Sequence, residues 1–148
     1  MEFRKATLED VSTMVYLRKQ LLIEEGFPVM KNIDLELHDY FERCLADNSF
    51  IAWLALENKI IVATSGLCFY HLPPNFSNPS GRNAYITNMF TLNEYRRRGI
   101  ASVLLRKILS EAYSLGFSVV RLHASPEGQN LYLKFGFLQS DGYMVLRL

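Results

Sequence analysis

Residues 96–102, Arg-Arg-Arg-Gly-Ile-Ala-Ser, bring three guanidinium groups and two residues with little or no side chain into one short stretch. An apolar run ending in Asn88-Met-Phe-Thr-Leu leads into it, and apolar residues at helical spacing lead out. A helix opening there leaves its first backbone N–H groups without internal partners and presents the positive end of its dipole. Gly99 and Ala101 remove the side chains that would hold a phosphate away, and arginine forks suit phosphate oxygens. The stretch reads as a phosphate seat on which guanidinium groups converge, with a basic turn capping an ordinary helix as the alternative. A nucleic-acid patch is disfavoured, because no second basic cluster or exposed aromatic row accompanies the arginines.

The elements that must hold this turn follow from the spacing of apolar residues. Phe3–Ala6 forms a short strand, and Thr7 with Asp10 three residues on opens a helix. Val11, Met14, Val15, Leu21 and Leu22 recur on one side of that helix to about Glu25, with Arg18 and Lys19 outside. Gly26-Phe27-Pro28 ends it, and Leu37, Tyr40, Phe41, Cys44 and Leu45 predict a second helix over 34–46. Phe50–Leu56 and Ile60–Tyr70 read as an antiparallel hairpin. The proline-rich stretch 71–83 is a long loop before a strand over Ala84–Leu92.

After the arginines, Ile100, Val103, Leu104, Leu105, Ile108, Leu109 and Ala112 predict a helix that stops at Gly116. Phe117–Leu122 is again a strand, so strand, helix and strand make one right-handed parallel crossover. Ser125-Pro126-Glu127 opens a last helix through Phe135. Phe137–Gln139 and Tyr143–Leu148 are expected to pair as a terminal hairpin around Ser140-Asp141-Gly142. The expectation is one α/β domain over residues 1–148, with a mixed, mostly antiparallel twisted sheet of about seven strands flanked by four helices.

A domain of 148 residues buries roughly 70% of its unfolded surface, enough for a core without staples. Its net charge of +1 gives no general attraction to nucleic acid or membrane. Cys44 and Cys68 sit among apolar residues with no partner at metal-ligand spacing, so both read as core residues and no metal is implied. Neither a signal-like N-terminus nor about 18 uninterrupted apolar residues is found, which points to a cytoplasmic protein.

Arg96-Arg97-Arg98-Gly99-Ile100-Ala101 resembles the Arg/Gln-x-x-Gly-x-Gly/Ala element of the GCN5-related N-acetyltransferases, placed as in that family between a strand and a helix. Leu131-Tyr132-Leu133-Lys134-Phe135-Gly136-Phe137 looks like the same family's Leu-Tyr-x-Lys-x-Gly-Phe segment, and the element order agrees over essentially the whole chain. The resemblance implies acetyl-coenzyme A as co-substrate. The backbone of Arg97, Arg98, Gly99, Ile100, Ala101 and Ser102, with Arg96 beside them, would seat its pyrophosphate. Met89 and Thr91 would hydrogen-bond the pantetheine arm through their backbone, and Tyr132 would stand near the thioester sulfur. Where the family often has an asparagine seven residues before that tyrosine, this chain has Ser125, which can bond the arm or cap the helix.

Such an enzyme would acetylate a primary amine on a small molecule or peptide by direct attack in a ternary complex. Only about one alkylamine in a thousand is neutral at pH 7, so a proton must be removed, and the thiolate that leaves needs a donor. Tyr132 is the natural donor. Glu24, Glu25, His71, His123 and Glu127 are the titratable candidates for the base, with His123 foremost, and a water chain is the alternative. The strand before the arginines offers only Tyr85, Thr87 and Asn88. The first two helices and the 71–83 loop should wall the acceptor site, with Phe27, Tyr40, Phe76 and Asp39 in it. A terminal strand at a sheet edge would suit a homodimer. A non-catalytic acyl-coenzyme A module is the rival reading, needing neither Tyr132 nor a base.

Overall fold

The computed structural model describes every residue except Asp141 and Tyr143. Strands β1 (Glu2–Lys5), β2 (Phe50–Glu57), β3 (Ile60–His71), β4 (Arg82–Thr91) and β5 (Val120–Leu122) form one sheet in chain order. Its first three junctions are antiparallel and the last, β4 with β5, is parallel. Helices α1 (Val11–Glu24) and α2 (Asp34–Ala46) come before β2, and α4 (Gln129–Lys134) after β5. Between β4 and β5 runs α3 (Ile100–Ser114), the crossover that a parallel junction requires. Among the described residues no helix is long and apolar enough to cross a membrane.

Strand β2 is apolar on both faces because helices cover both. Phe50, Ala52, Leu54 and Leu56 share a core with Val11, Met14 and Val15 of α1 and Phe41 and Cys44 of α2. On the other face Ala55, Val62 and Ala63 meet Ile100 and Leu104 of α3, while Leu67, Ala84 and Ile86 meet Leu105, Ile108 and Ala112. Residues 100, 104, 105, 108 and 112 lie along one helical face, so the stripe read from the sequence is the buried one. Truncating a ring such as Phe41 or Phe50, each 1% exposed, costs roughly 3–5 kcal/mol.

The start of α1 is anchored by polar groups. Asp10 accepts from the Thr7 N–H (2.8 Å) and hydroxyl (3.2 Å), and Arg4 grips both its carboxylate oxygens at 2.7 and 2.8 Å. That guanidinium holds the 6%-exposed carboxyl below the usual range. At the far end of α3, Gly116 takes φ +79° and the Phe117 N–H returns to the Ala112 carbonyl at 3.0 Å. This closure delays β5 to Val120, later than Phe117 as expected, and lets Phe117 stack on Phe69 at 5.1 Å.

Seven strands were too many for what is described. No strand occupies Phe137–Gln139 or the described part of Tyr143–Leu148, and Asp141 and Tyr143 of the expected hairpin lie outside the described residues. Leu138, Met144, Val145, Leu146 and Leu148 are all exposed, so no buried face fixes a strand register there.

Candidate functional site

Parallel pairing of β4 with β5 lasts only three residues, Ala84–Ile86 against Val120–Leu122. Directly beyond it β4 carries a bulge. Thr64 faces Phe90 but Gly66 faces Thr87, so Asn88 and Met89 together oppose Ser65. An extra residue of this kind bends its strand and sharpens the local twist. Asn88 accommodates it at φ +53° while 5% exposed, a conformation asparagine enters far more readily than a β-branched residue. The strands part here, and among the described residues no strand pairs with the outer edge of Thr87–Thr91.

At the end of that open edge stands the arginine turn. Arg97 (φ +59°) and Gly99 (φ +78°) both turn left-handed, and α3 starts at Ile100, whose side chain is buried in the core. Val103 is the first residue to bond back, its N–H donating to the Gly99 carbonyl at 3.2 Å. The N–H groups of Ile100, Ala101 and Ser102 have no protein acceptor among the described residues, and nothing lies within 4 Å of where a Gly99 side chain would begin. This is an open cradle of N–H groups, and a pyrophosphate fits its chemistry.

The arginines do not converge as the sequence suggested. Arg96 donates Nε to the Thr91 carbonyl (2.8 Å) and pairs with Glu24, and Arg98 forks onto Glu57. The fold brings the end of α1 and the end of β2 beside the turn, and their carboxylates take two of the three guanidinium groups. Arg98 lies over Tyr95 and borders a small separate pocket with Phe3. Thus the phosphate-binding capacity lies in the backbone rather than in three forks.

The parted strands open a groove of about 1360 Å³, larger than the roughly 300–1,000 Å³ of pockets for drug-sized ligands. Its walls are β4 from Tyr85 to Thr91, the turn at Arg96, Arg97 and Gly99–Ser102, the segment His123–Gly128, Tyr132 of α4, and the end of α1 from Arg18 to Phe27. Tyr132 is 8% exposed and its ring meets Phe137 edge-on at 5.8 Å. Burial pushes its phenol up to about 12, with Glu25 and Tyr85 acting in the same direction, so it stays protonated near neutral pH. Burial also raises the half-buried Tyr85 phenol, against an opposing hydrogen bond from the His123 backbone.

Among the expected site residues, Met89, Thr91, Arg96, Arg97, Gly99, Ile100, Ala101, Ser102, His123, Ser125 and Tyr132 line this groove. Arg98 does not. Ser125 caps the turn ahead of α4, its Oγ accepting from the Gly128 N–H at 3.2 Å, and that helix begins only at Gln129. Of the base candidates, Glu24, Glu25, His123 and Glu127 line the groove and His71 does not. Glu24 is already tied to Arg96.

The acceptor walls differ more from expectation. Neither α2 nor the 71–83 loop contributes a lining residue; Tyr40 packs on Phe41 and Phe50, Phe76 stands fully exposed, and Asp39 is exposed and does not line the groove. Arg18, expected outside, lines the groove half-buried. Its signal was Glu25 seven residues later, two turns on and therefore on the same helix face. No group of three metal-ligating side chains occurs among the described residues.

Residues 19–137 match the acetyltransferase (GNAT) family, and the chain belongs to that family. It is an enzyme of the acyltransferase class. A predicted acetyltransferase from Clostridium acetobutylicum, solved with acetyl-CoA, superimposes with a TM-score of 0.94 at 39% identity, covering 99% of this chain and 95% of that one. A GCN5-related N-acetyltransferase from Ralstonia eutropha does so at 0.90 with 26% identity, over 99% and 97%. In sequence, the chain is 24% identical over 148 residues to the thialysine N-epsilon-acetyltransferase of Mus musculus, spanning 96% of this chain and 79% of that protein.

Proposed function

We propose that the protein moves an acetyl group from acetyl-coenzyme A to a primary amine on a small molecule or peptide, by direct attack in a ternary complex. The observation that carries this is one continuous path. The unpartnered N–H groups of Ile100–Ser102 lead along the open edge of β4 to a buried, protonated tyrosine. That path suits a donor with a pyrophosphate at one end, an amide-bearing arm in the middle and a thioester at the other. Arg97 and Gly99 through Ser102 would seat the pyrophosphate, and Met89 and Thr91 would bond the arm as an added strand does. The relative named for the ε-nitrogen of thialysine supports a small-molecule amine.

Bound there, the coenzyme supplies an activated acetyl thioester. The neutral amine nitrogen attacks its carbonyl carbon, a C–N bond forms, and the C–S bond breaks with its electron pair leaving on sulfur. Tyr132 donates a hydrogen bond to that sulfur as its charge develops, and the departing thiolate takes up one proton from solvent to become the thiol, matching the one the amine releases and leaving the phenol protonated. The proton lost by the amine leaves past His123, which is exposed on the groove's rim and hands it to solvent.

Tyr132→Phe tests this reading. The variant should bind acetyl-coenzyme A within about twofold of the parent and turn over an amine roughly a hundredfold more slowly. Unchanged turnover would remove Tyr132 from the chemistry.

A further inference from the structure

We propose that Arg18 selects an acceptor whose amine is accompanied by an oxyanion, either a carboxylate or a phosphate monoester. The inference rests on the N-acetyltransferase reading above and names the substrate class for the same groove.

The other half-buried cations of the molecule each have a partner. Arg4 grips Asp10, Lys19 pairs with Asp34 at 2.6 Å, Arg121 donates to Asn83 at 2.9 Å, and Lys107 sits 4.1 Å from the Trp53 ring centre. Arg18 lines the groove with neither an ion pair nor a hydrogen bond among the described residues. A guanidinium cannot discard its charge near neutral pH, and withdrawing it from water without a partner is unfavourable. Its planar fork matches the paired oxygens of a carboxylate or phosphate. An anionic acceptor would restore what burial removes.

The groups around Arg18 set the acceptor's direction. Burial works against the guanidinium charge, while the Glu25 carboxylate lies near enough to support it. Glu25 and Tyr85 are also near enough to act on Tyr132. Both residues line the groove together with Arg18 and Tyr132. An acceptor with its oxyanion on Arg18 would run past Glu25, whose carboxylate attracts the ammonium end, and deliver its nitrogen beside Tyr132. With Glu24 held by Arg96, Glu25, just past the end of α1, is the carboxylate left there for this purpose.

The test compares three acceptor series with acetyl-coenzyme A: n-alkylamines, ω-amino carboxylates and ω-aminoalkyl phosphates, each with two to five methylenes. The best anionic acceptor should exceed its uncharged analogue at least tenfold in kcat/KM, and its series identifies the oxyanion. Arg18→Met should abolish that preference by lowering the anionic acceptor alone, leaving the KM for acetyl-coenzyme A unchanged, and Arg18→Lys should restore part of it. Equal use of charged and uncharged amines, or an Arg18→Met loss common to both, overturns the assignment alone. Failure to turn over any amine while acetyl-coenzyme A still binds overturns it together with the N-acetyltransferase reading.

Discussion

The two walls of the groove are made of different material. The wall proposed to take the donor is backbone: the outer edge of β4 released by the Asn88 bulge, and the N–H groups of Ile100–Ser102 exposed behind Gly99. The wall proposed to take the acceptor is side chain, with Arg18, Glu25 and Phe27 at the end of α1 lining the groove with Tyr85 and Tyr132. A backbone site imposes local rules, because left-handed turns and close approach admit few residue types. A side-chain wall imposes none, since any helix can present any residue to a neighbour. A fold can therefore keep its donor site while changing its acceptor.

The largest effect should come from breaking the donor wall at Gly99. Valine there would have to adopt φ +78° and would place a branched side chain over the N–H cradle. The strain of about 1–3 kcal/mol lowers stability in the free and bound forms alike, while the loss of two charge-assisted hydrogen bonds weakens binding by roughly 4 kcal/mol. Calorimetry of Gly99→Val should show acetyl-coenzyme A affinity reduced about a thousandfold, with a cooperative thermal transition retained. Affinity within tenfold of the parent would show that the backbone cradle is not the seat.

The same distinction explains what could be read from the sequence. Gly99, Ala101 and the apolar stripe of α3 announce a helix N-terminus built for close approach, and the hairpin of β2 and β3 is evident from its two β-prone runs. Glu24 and Glu57 show why the rest was hidden: each is an ordinary surface carboxylate until the fold brings it 72 and 41 residues along the chain to Arg96 and Arg98. The bulge at Asn88 was equally silent, since one extra residue in a strand leaves no mark on its composition. Arg18 was misplaced because α1 covers the sheet with one face and borders the groove with another, and periodicity alone separates only apolar from polar.

A smaller effect should appear in the pH dependence and bears on Tyr132, the proposed donor to the leaving sulfur. Raising pH from 7 to 9 makes an alkylamine about a hundredfold more available as its neutral form. Tyr132, pushed up to about 12, keeps its proton throughout that interval. With subsaturating alkylamine, kcat/KM should therefore climb nearly tenfold per unit between pH 7 and 9 with no descending limb. A fall beginning below pH 9 would mean that the donor titrates in a more ordinary range and is not this buried phenol.

The smallest effect is expected at His123, and it probes the asymmetry of the walls most directly. The imidazole lies exposed on the rim, where water reaches both it and any departing proton. If it only shortens the exit path, His123→Gln should lower kcat less than about fivefold, since positioned general bases that act alone are worth roughly 10²–10⁴. Steady-state rates at saturating acetyl-coenzyme A decide the matter. A hundredfold loss would mean that one side chain carries the proton, making the acceptor wall as exacting as the donor wall. A loss of a few fold leaves the exit to solvent, and a site that relies on water for this step can exchange its acceptor by changing only the side chains that hold it.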